Sequence, residues 1–275
     1  MRSVLSGLFT IVAMIAVVVA VPTMWGSQKV VSADGFAASA AQAARDQQVQ
    51  DYFASTIASS VAEQTSIPLA GDAVKPLAQA YTRSDAFATA FEEIARQQHD
   101  WLFTAPGPDT DAHVMDLNIT PMINEAVASA SLPVPVHIDT PIYVAIDQHR
   151  LSAGSLESTG DLVKTVSWIA VIVAVVAAIL ALALANRRGT VLAWLGVGGM
   201  LAAAVAFGVA QYIRTLVDDR AADTEEAARR TVEVVADDIS GSLITWAVIA
   251  VIVGALVTVA GILFRIVGGG RRRAV

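Results

Sequence analysis

The sequence predicts a membrane α-helical protein. It would have four transmembrane helices, an α+β extracytoplasmic domain after the first and an extracytoplasmic helical hairpin between the third and fourth. Three observations predict this. Runs 3–28, 165–186, 189–213 and 239–264 contain no Asp, Glu, Lys, Arg or His, and about 20 apolar residues suffice to cross roughly 30 Å of hydrocarbon. The composition is 55% hydrophobic and 16% charged, with a mean hydropathy of +0.58, whereas soluble domains carry about 25% charge. Finally, the charges are partitioned. All 25 Asp and Glu lie in residues 29–164 and 214–238, while Arg2, Arg187, Arg188, Arg265, Arg271, Arg272 and Arg273 flank the apolar runs with no carboxylate beside them.

The first run, centred on "VLSGLFTIVAMIAVVVAV", predicts a transmembrane helix over 4–25 after a short N-terminus, 1–3. Its apolar length exceeds the roughly 7–15 residues of a signal-peptide core, and only Arg2 precedes it, so it reads as an uncleaved anchor. A small-residue site at Val31-Ser32-Ala33 leaves cleavage as the alternative.

Residues 26–164 are long enough for one domain. "VQDYFASTIASSV" sets Val49, Tyr52, Phe53, Thr56, Ile57 and Val61 at helical spacing, with Asp46, Gln50, Asp51, Ser55, Ser59 and Glu63 facing away. A short helix is expected over 73–81. A third follows Ser84 as N-cap, with stripe Phe87, Phe91, Ile94, Gln98 and Trp101-Leu102, until "APGPD" breaks the chain. "VMDLNI" then alternates as a strand, Thr120-Pro121 opens a helix through about Ala130, and "VPVHI" and "PIYVAI" read as one interrupted strand or two short ones. This order predicts a β-α-β unit beside a helical pair. The Ser/Gly-rich segment 148–160 leads to the second run.

The second transmembrane helix is placed at 165–185, a short loop at 186–189 and the third helix at 190–212. Gly198/Ala202, Gly199/Ala203 and Ala204/Gly208 give the third helix small residues four apart, as in close packing within a bundle or with a partner. Residues 213–242 must return to the membrane, because one straight helix of that length would end roughly 45 Å away. A hairpin with its tip near Asp223-Thr224 is expected. Thr224 would cap the descending helix, with Glu225→Arg229 and Glu226→Arg230 pairs along it. Asp218, Asp219, Glu225 and Glu226 form a candidate acidic docking face for a basic partner. The fourth helix is placed at 243–264 and a basic tail at 265–275.

Lys and Arg collect on the cytoplasmic side of membrane helices. The seven flanking arginines therefore predict a plasma (inner) membrane protein with both termini cytoplasmic and the acidic segments outside. Trp25, Trp168, Trp194, Tyr212 and Trp246 fall at the ends of the runs, as interfacial anchors would.

The uncharged runs argue against ion-coupled transport, which relies on ionisable groups within the membrane. With no cysteine, disulfides, thiol nucleophiles and cysteine-ligated metals are excluded. No Walker, G-x-S-x-G or G-x-G-x-x-G motif is present, so neither a catalytic residue nor a cofactor is predicted. His99, His113, His137 and His149 lack the helical metal-site spacings. His137 and Asp139 would share a strand face, so metal binding stays open, and His99 beside Trp101 reads as a packed residue. Glu92 and Glu93 are adjacent and point to different helix faces, which is not an acid–base dyad.

"FATAFEEIARQQHDWLF", "MDLNITPMINEAV" and "ANRRGTVLAWLG", in this order of elements, resemble a poorly characterised actinobacterial family of four-span integral membrane proteins with a large extracytoplasmic domain between spans one and two. The resemblance implies an envelope-facing membrane protein and supplies no catalytic residues. The expected function is a non-catalytic accessory, assembly or scaffold subunit of a larger cell-envelope or respiratory complex. Its partners would be membrane lipids and other membrane or envelope proteins, with no nucleic acid. The alternatives are an extracytoplasmic ligand or lipid sensor working with a separate cytoplasmic partner, and an envelope-modifying enzyme.

Overall fold

A computed structural model describes residues 2–65, 70–108, 112–118, 120, 121, 124, 139, 141, 143–147, 152–221 and 226–270. The chain divides into two compact units, one of residues 1–28, 161–214 and 240–275, the other of 29–160 and 215–239.

The first unit is built from four long helices: α1 (Arg2–Gly26), α6 (Glu157–Leu184), α7 (Arg188–Ala221) and α8 (Glu226–Gly270). Each contains a stretch long and apolar enough to cross a membrane. Their burial is inverted relative to a soluble bundle. The residues facing inward are small: Ser6, Thr10, Ala13, Ala16 and Ala20 on α1, and Ser167, Ala170, Ala174, Ala177 and Ala181 on α6. The large side chains face out, among them Ile11, Ile15, Ile172, Ile179, Phe207, Leu256 and Phe264. In water this arrangement would be unfavourable by roughly 25 cal/mol for each Å² of exposed apolar surface. In lipid no such cost arises, and small residues let the backbones approach.

The closest approach joins α7 to α8. A Cβ on Gly189 would meet the Gly261 carbonyl and the Arg265 backbone, and one on Gly254 would lie 2.7 Å from the Gly196 carbonyl. Gly196 is equally closed by Gly254 and Thr258, and Gly261 by Gly189 and Ala193. Glycines seven apart on one helix thus face glycines seven apart on an antiparallel neighbour. Two of the pairs read from the sequence do pack closely: Gly198 against Met14 of α1 and Gly199 beside Gly254 in this seam, with Ala202 and Ala203 buried. Gly189, Gly196 and Gly261 were not read from the sequence. The Ala204/Gly208 pair packs against no other helix of this chain among the described residues, since both residues are exposed and a Cβ on Gly208 would meet nothing within 4 Å.

Polar side chains tie the helices at three places. Ser6 Oγ donates to the Ala181 carbonyl (2.9 Å), Trp25 Nε1 to Ser242 Oγ (2.8 Å) and Arg214 Nε to Ser240 Oγ (2.9 Å). Thr258 Oγ1 donates to Gly254 O of its own helix (2.8 Å) and lies 3.4 Å from Ala193 O of α7.

In the second unit, α1 passes through a π-turn (Ser27–Val31) before α2 (Ala33–Ala43), α3 (Gln47–Thr65), α4 (Ala70–Thr82) and α5 (Asp85–Phe103). Helix α2 packs against α5, and α3 against α4. Helix α2 has no counterpart in the sequence reading, because "ADGFAASAAQA" is too uniformly small to show a periodic stripe. Ser32 caps it by accepting from Gly35 N–H. Ser84 caps α5 in the same way, accepting from Phe87 N–H at 3.4 Å.

The core of this unit gathers Ala44, Tyr81, Phe87 and Ala88, with Phe53, Ile57 and Phe91 packed on it. The aromatic rings meet at centroid distances of 5.3–5.7 Å, several edge-to-face. Two positions depart from the expected stripes. Thr56 and Gln98 are exposed, and the buried face runs through Ala54 and Ala58 on α3 and through Ala95 and His99 on α5. Alanines carry this face where large residues were expected to.

Two strands, β1 (Val114–Asn118) and β2 (Tyr143–Asp147), pair antiparallel with Met115 opposite Ile146. Met115 is buried and Asp116 exposed, as alternation requires. Gln97 of α5 closes the backbone of Asn118: its Oε1 accepts from Asn118 N–H (2.8 Å) and its Nε2 donates to Asn118 O (3.3 Å). Asn118 Oδ1 accepts from Thr120 N–H at the start of the helical turn read from Thr120-Pro121. Most of the helix expected to Ala130, the "VPVHI" strand and the hairpin tip at Asp223-Thr224 lie outside the described residues. The described strands are few, and helix dominates.

Segment 148–160 does not remain a loop to its end, because α6 begins at Glu157. Before that, Gly154 N–H donates to the Trp101 carbonyl (2.8 Å) and Leu156 N–H to the Leu102 carbonyl (3.0 Å), closing carbonyls that the end of α5 leaves open. Gly154 has φ +69°, and a Cβ there would lie 2.7 Å from Pro106 Cδ.

Candidate functional site

Within the second unit the described chemistry converges on His99. Position 99 lies one turn after Ala95 on the buried face of α5, and the imidazole is 4% exposed. It stacks on Phe103 at 4.4 Å and 13°, with Phe36 at 5.6 Å. Nε2 lies 3.1 Å from the Val31 carbonyl at the end of the π-turn. A carbonyl only accepts, so Nε2 carries the proton. The Asp100 carboxylate stands 3.6 Å from Nδ1, at the surface. Nδ1 and the nearby Trp101 Nε1 are buried without a hydrogen-bond partner among the described residues. The arrangement anchors a helix end and matches the packed role read for His99. Among the described residues no three His, Asp or Glu side chains gather as a metal site. His113 is exposed, and His137 and His149 lie outside the described residues.

Arg96, one turn before Asp100, joins α5 to α2. Its guanidinium donates to Asp34 and Glu92 and lies 4.0 Å from Glu93. The hydrogen bond to Asp34 holds the guanidinium above its ordinary pKa. Glu92 and Glu93 thus share one cation, which their adjacency in sequence did not reveal.

The other residues singled out from sequence are distributed as follows. Arg2, Arg187, Arg188 and Arg265 are exposed at the ends of the long helices, and Arg271, Arg272 and Arg273 lie outside the described residues. Trp168, Trp194 and Tyr212 are 59%, 54% and 67% exposed, and Trp246 is half-buried. Trp25 differs: it is 4% exposed and bonded to Ser242 inside the bundle. An indole held there is a tie between α1 and α8, not a lipid-facing anchor. Its position near a run's end gave no sign of which way it turns. Asp219 is exposed, whereas the side chains of Asp218, Glu225 and Glu226 lie outside the described ones.

The long apolar helices and their inverted burial mark the class: a multi-pass α-helical membrane protein. No protein-family model, curated protein or solved structure matches the chain.

Proposed function

We propose that this chain is a non-catalytic accessory, assembly or scaffold subunit of a larger cell-envelope or respiratory membrane complex. In this reading both termini are cytoplasmic. Residues 26–164 form an extracytoplasmic α+β domain that contacts the partner, and the hairpin acids add a docking face for a basic surface. Membership of the actinobacterial four-span family is part of the same proposal.

One observation carries it. Among the described residues of the second unit, three polar side chains serve as structural ties: His99 holds Val31, Gln97 holds β1 and Arg96 holds α2. A surface kept in one shape by such ties suits recognition by a protein partner. The test is affinity purification of the full chain in several mild detergents, with crosslinking before solubilisation. A stoichiometric protein partner, released by raised salt where the acidic face contributes, is the expected result. Recovery of the monomer alone under every condition overturns the reading.

A further inference from the structure

At the arginine end of the bundle the long helices leave a cavity of about 750 Å³. That is within the roughly 300–1,000 Å³ of small-molecule sites. Its walls are the start of α1, the turn between α6 and α7 with the first turns of α7, and Arg265 of α8.

The lining is graded. Arg187, Thr190 and Arg265 stand at the helix ends, while Ile11, Met14 and Trp194 lie one or more turns further in. From Ser3 to Met14 the wall follows α1 for roughly 16 Å at 1.5 Å per residue. One end is therefore cationic and the other apolar, and both belong to one cavity.

The cations are uncompensated. Neither Arg187 nor Arg265 has a carboxylate within salt-bridge distance among the described residues. No Asp or Glu occurs in residues 165–213 or 239–275. Two exposed guanidinium groups line one cavity, and their planar forks fit phosphate oxygens. Deeper in, the Ser6 and Thr10 hydroxyl protons are already given to the Ala181 and Ser6 carbonyls. The anion therefore belongs at the arginine end, and what continues inward is apolar.

We propose that this cavity is a binding site for an anionic glycerophospholipid, with its phosphate between Arg187 and Arg265 and an acyl chain along Ile11, Met14 and Trp194. The inference is independent of the partner role above and would survive its failure.

Gly7 supplies the decisive variant. It lines the cavity, and a Cβ there would meet nothing within 4 Å. Gly7→Leu thus occupies the cavity without forcing the backbone. Gly208→Leu is the matched control, on α7 away from the cavity and equally unobstructed. Native mass spectrometry of the full chain in detergent would compare retention of phosphatidylglycerol, phosphatidylcholine and glycerol 3-phosphate. The unmodified chain and Gly208→Leu should retain phosphatidylglycerol over the other two. Arg265→Gln should lose roughly tenfold of that retention, the size of one charge-assisted contact, and Gly7→Leu should lower it by filling the acyl-chain space. Undiminished retention by both variants overturns the site. Equal retention of phosphatidylcholine overturns the anion selectivity, and equal retention of glycerol 3-phosphate overturns the lipid assignment.

Discussion

Glycine shows how differently one residue type acts along this chain. Gly154 adopts φ +69° in the segment that closes the end of α5, and both backbone conformation and space forbid a side chain. Gly241 lies within α8, where a Cβ would meet nothing within 4 Å. The two positions predict opposite outcomes for one substitution. Gly154→Ala should destabilise, because the left-handed conformation costs an L residue about 1–2 kcal/mol before the Pro106 contact is relieved. Gly241→Ala should be neutral or stabilising by up to about 1 kcal/mol, as for alanine in a helix interior. Thermal aggregation midpoints of the detergent-solubilised variants measure the contrast, and a lower midpoint for Gly241→Ala than for Gly154→Ala would contradict it.

Among elements, the α7–α8 pair depends most on small residues. Gly189, Gly196, Gly254 and Gly261 admit the opposing backbone at distances that a methyl group would occupy. Gly196→Ala or Gly254→Ala must push the helices apart, at about 1–3 kcal/mol as for overpacking elsewhere. Gly208→Ala on the same helix should leave stability within error. Protease resistance in detergent reads the difference, and equal resistance of all three variants would remove the seam as a stabilising element. The four apolar helices were legible in the sequence because hydrocarbon imposes length and excludes charge, and both show in a single chain. The seam was legible only at Gly199, because which face of an Ala- and Gly-rich helix turns inward depends on its neighbour: Gly198 and Gly196 look alike until Met14 and Thr258 are placed. Helix α2 was hidden for a related reason, since periodicity needs contrast between large and polar residues. Of the candidate residues, His99 was readable as packed from the apolar end of α5. Its partner Val31 lies 68 residues away, and no local pattern joins them.

For the whole molecule, the proposed orientation is argued from charge. Moving an arginine cluster through the bilayer is opposed by its desolvation and by the membrane potential, so the proposal keeps Arg187 and Arg188 on the cytoplasmic side. It puts the carboxylates on the other side, since each acidic segment would lie across an odd number of membrane spans from Arg2. The absence of cysteine makes this directly measurable, because any introduced thiol is unique. Glu93→Cys places it on exposed α5, and Asn186→Cys places it in the turn between α6 and α7. In intact cells a membrane-impermeant maleimide should label Glu93→Cys and spare Asn186→Cys, which should react only after permeabilisation. The reverse pattern would invert the proposed topology, putting the arginines outside and the acidic unit in the cytoplasm. Labelling of both without permeabilisation would mean that α6 does not separate them, and the four-span arrangement itself would fail.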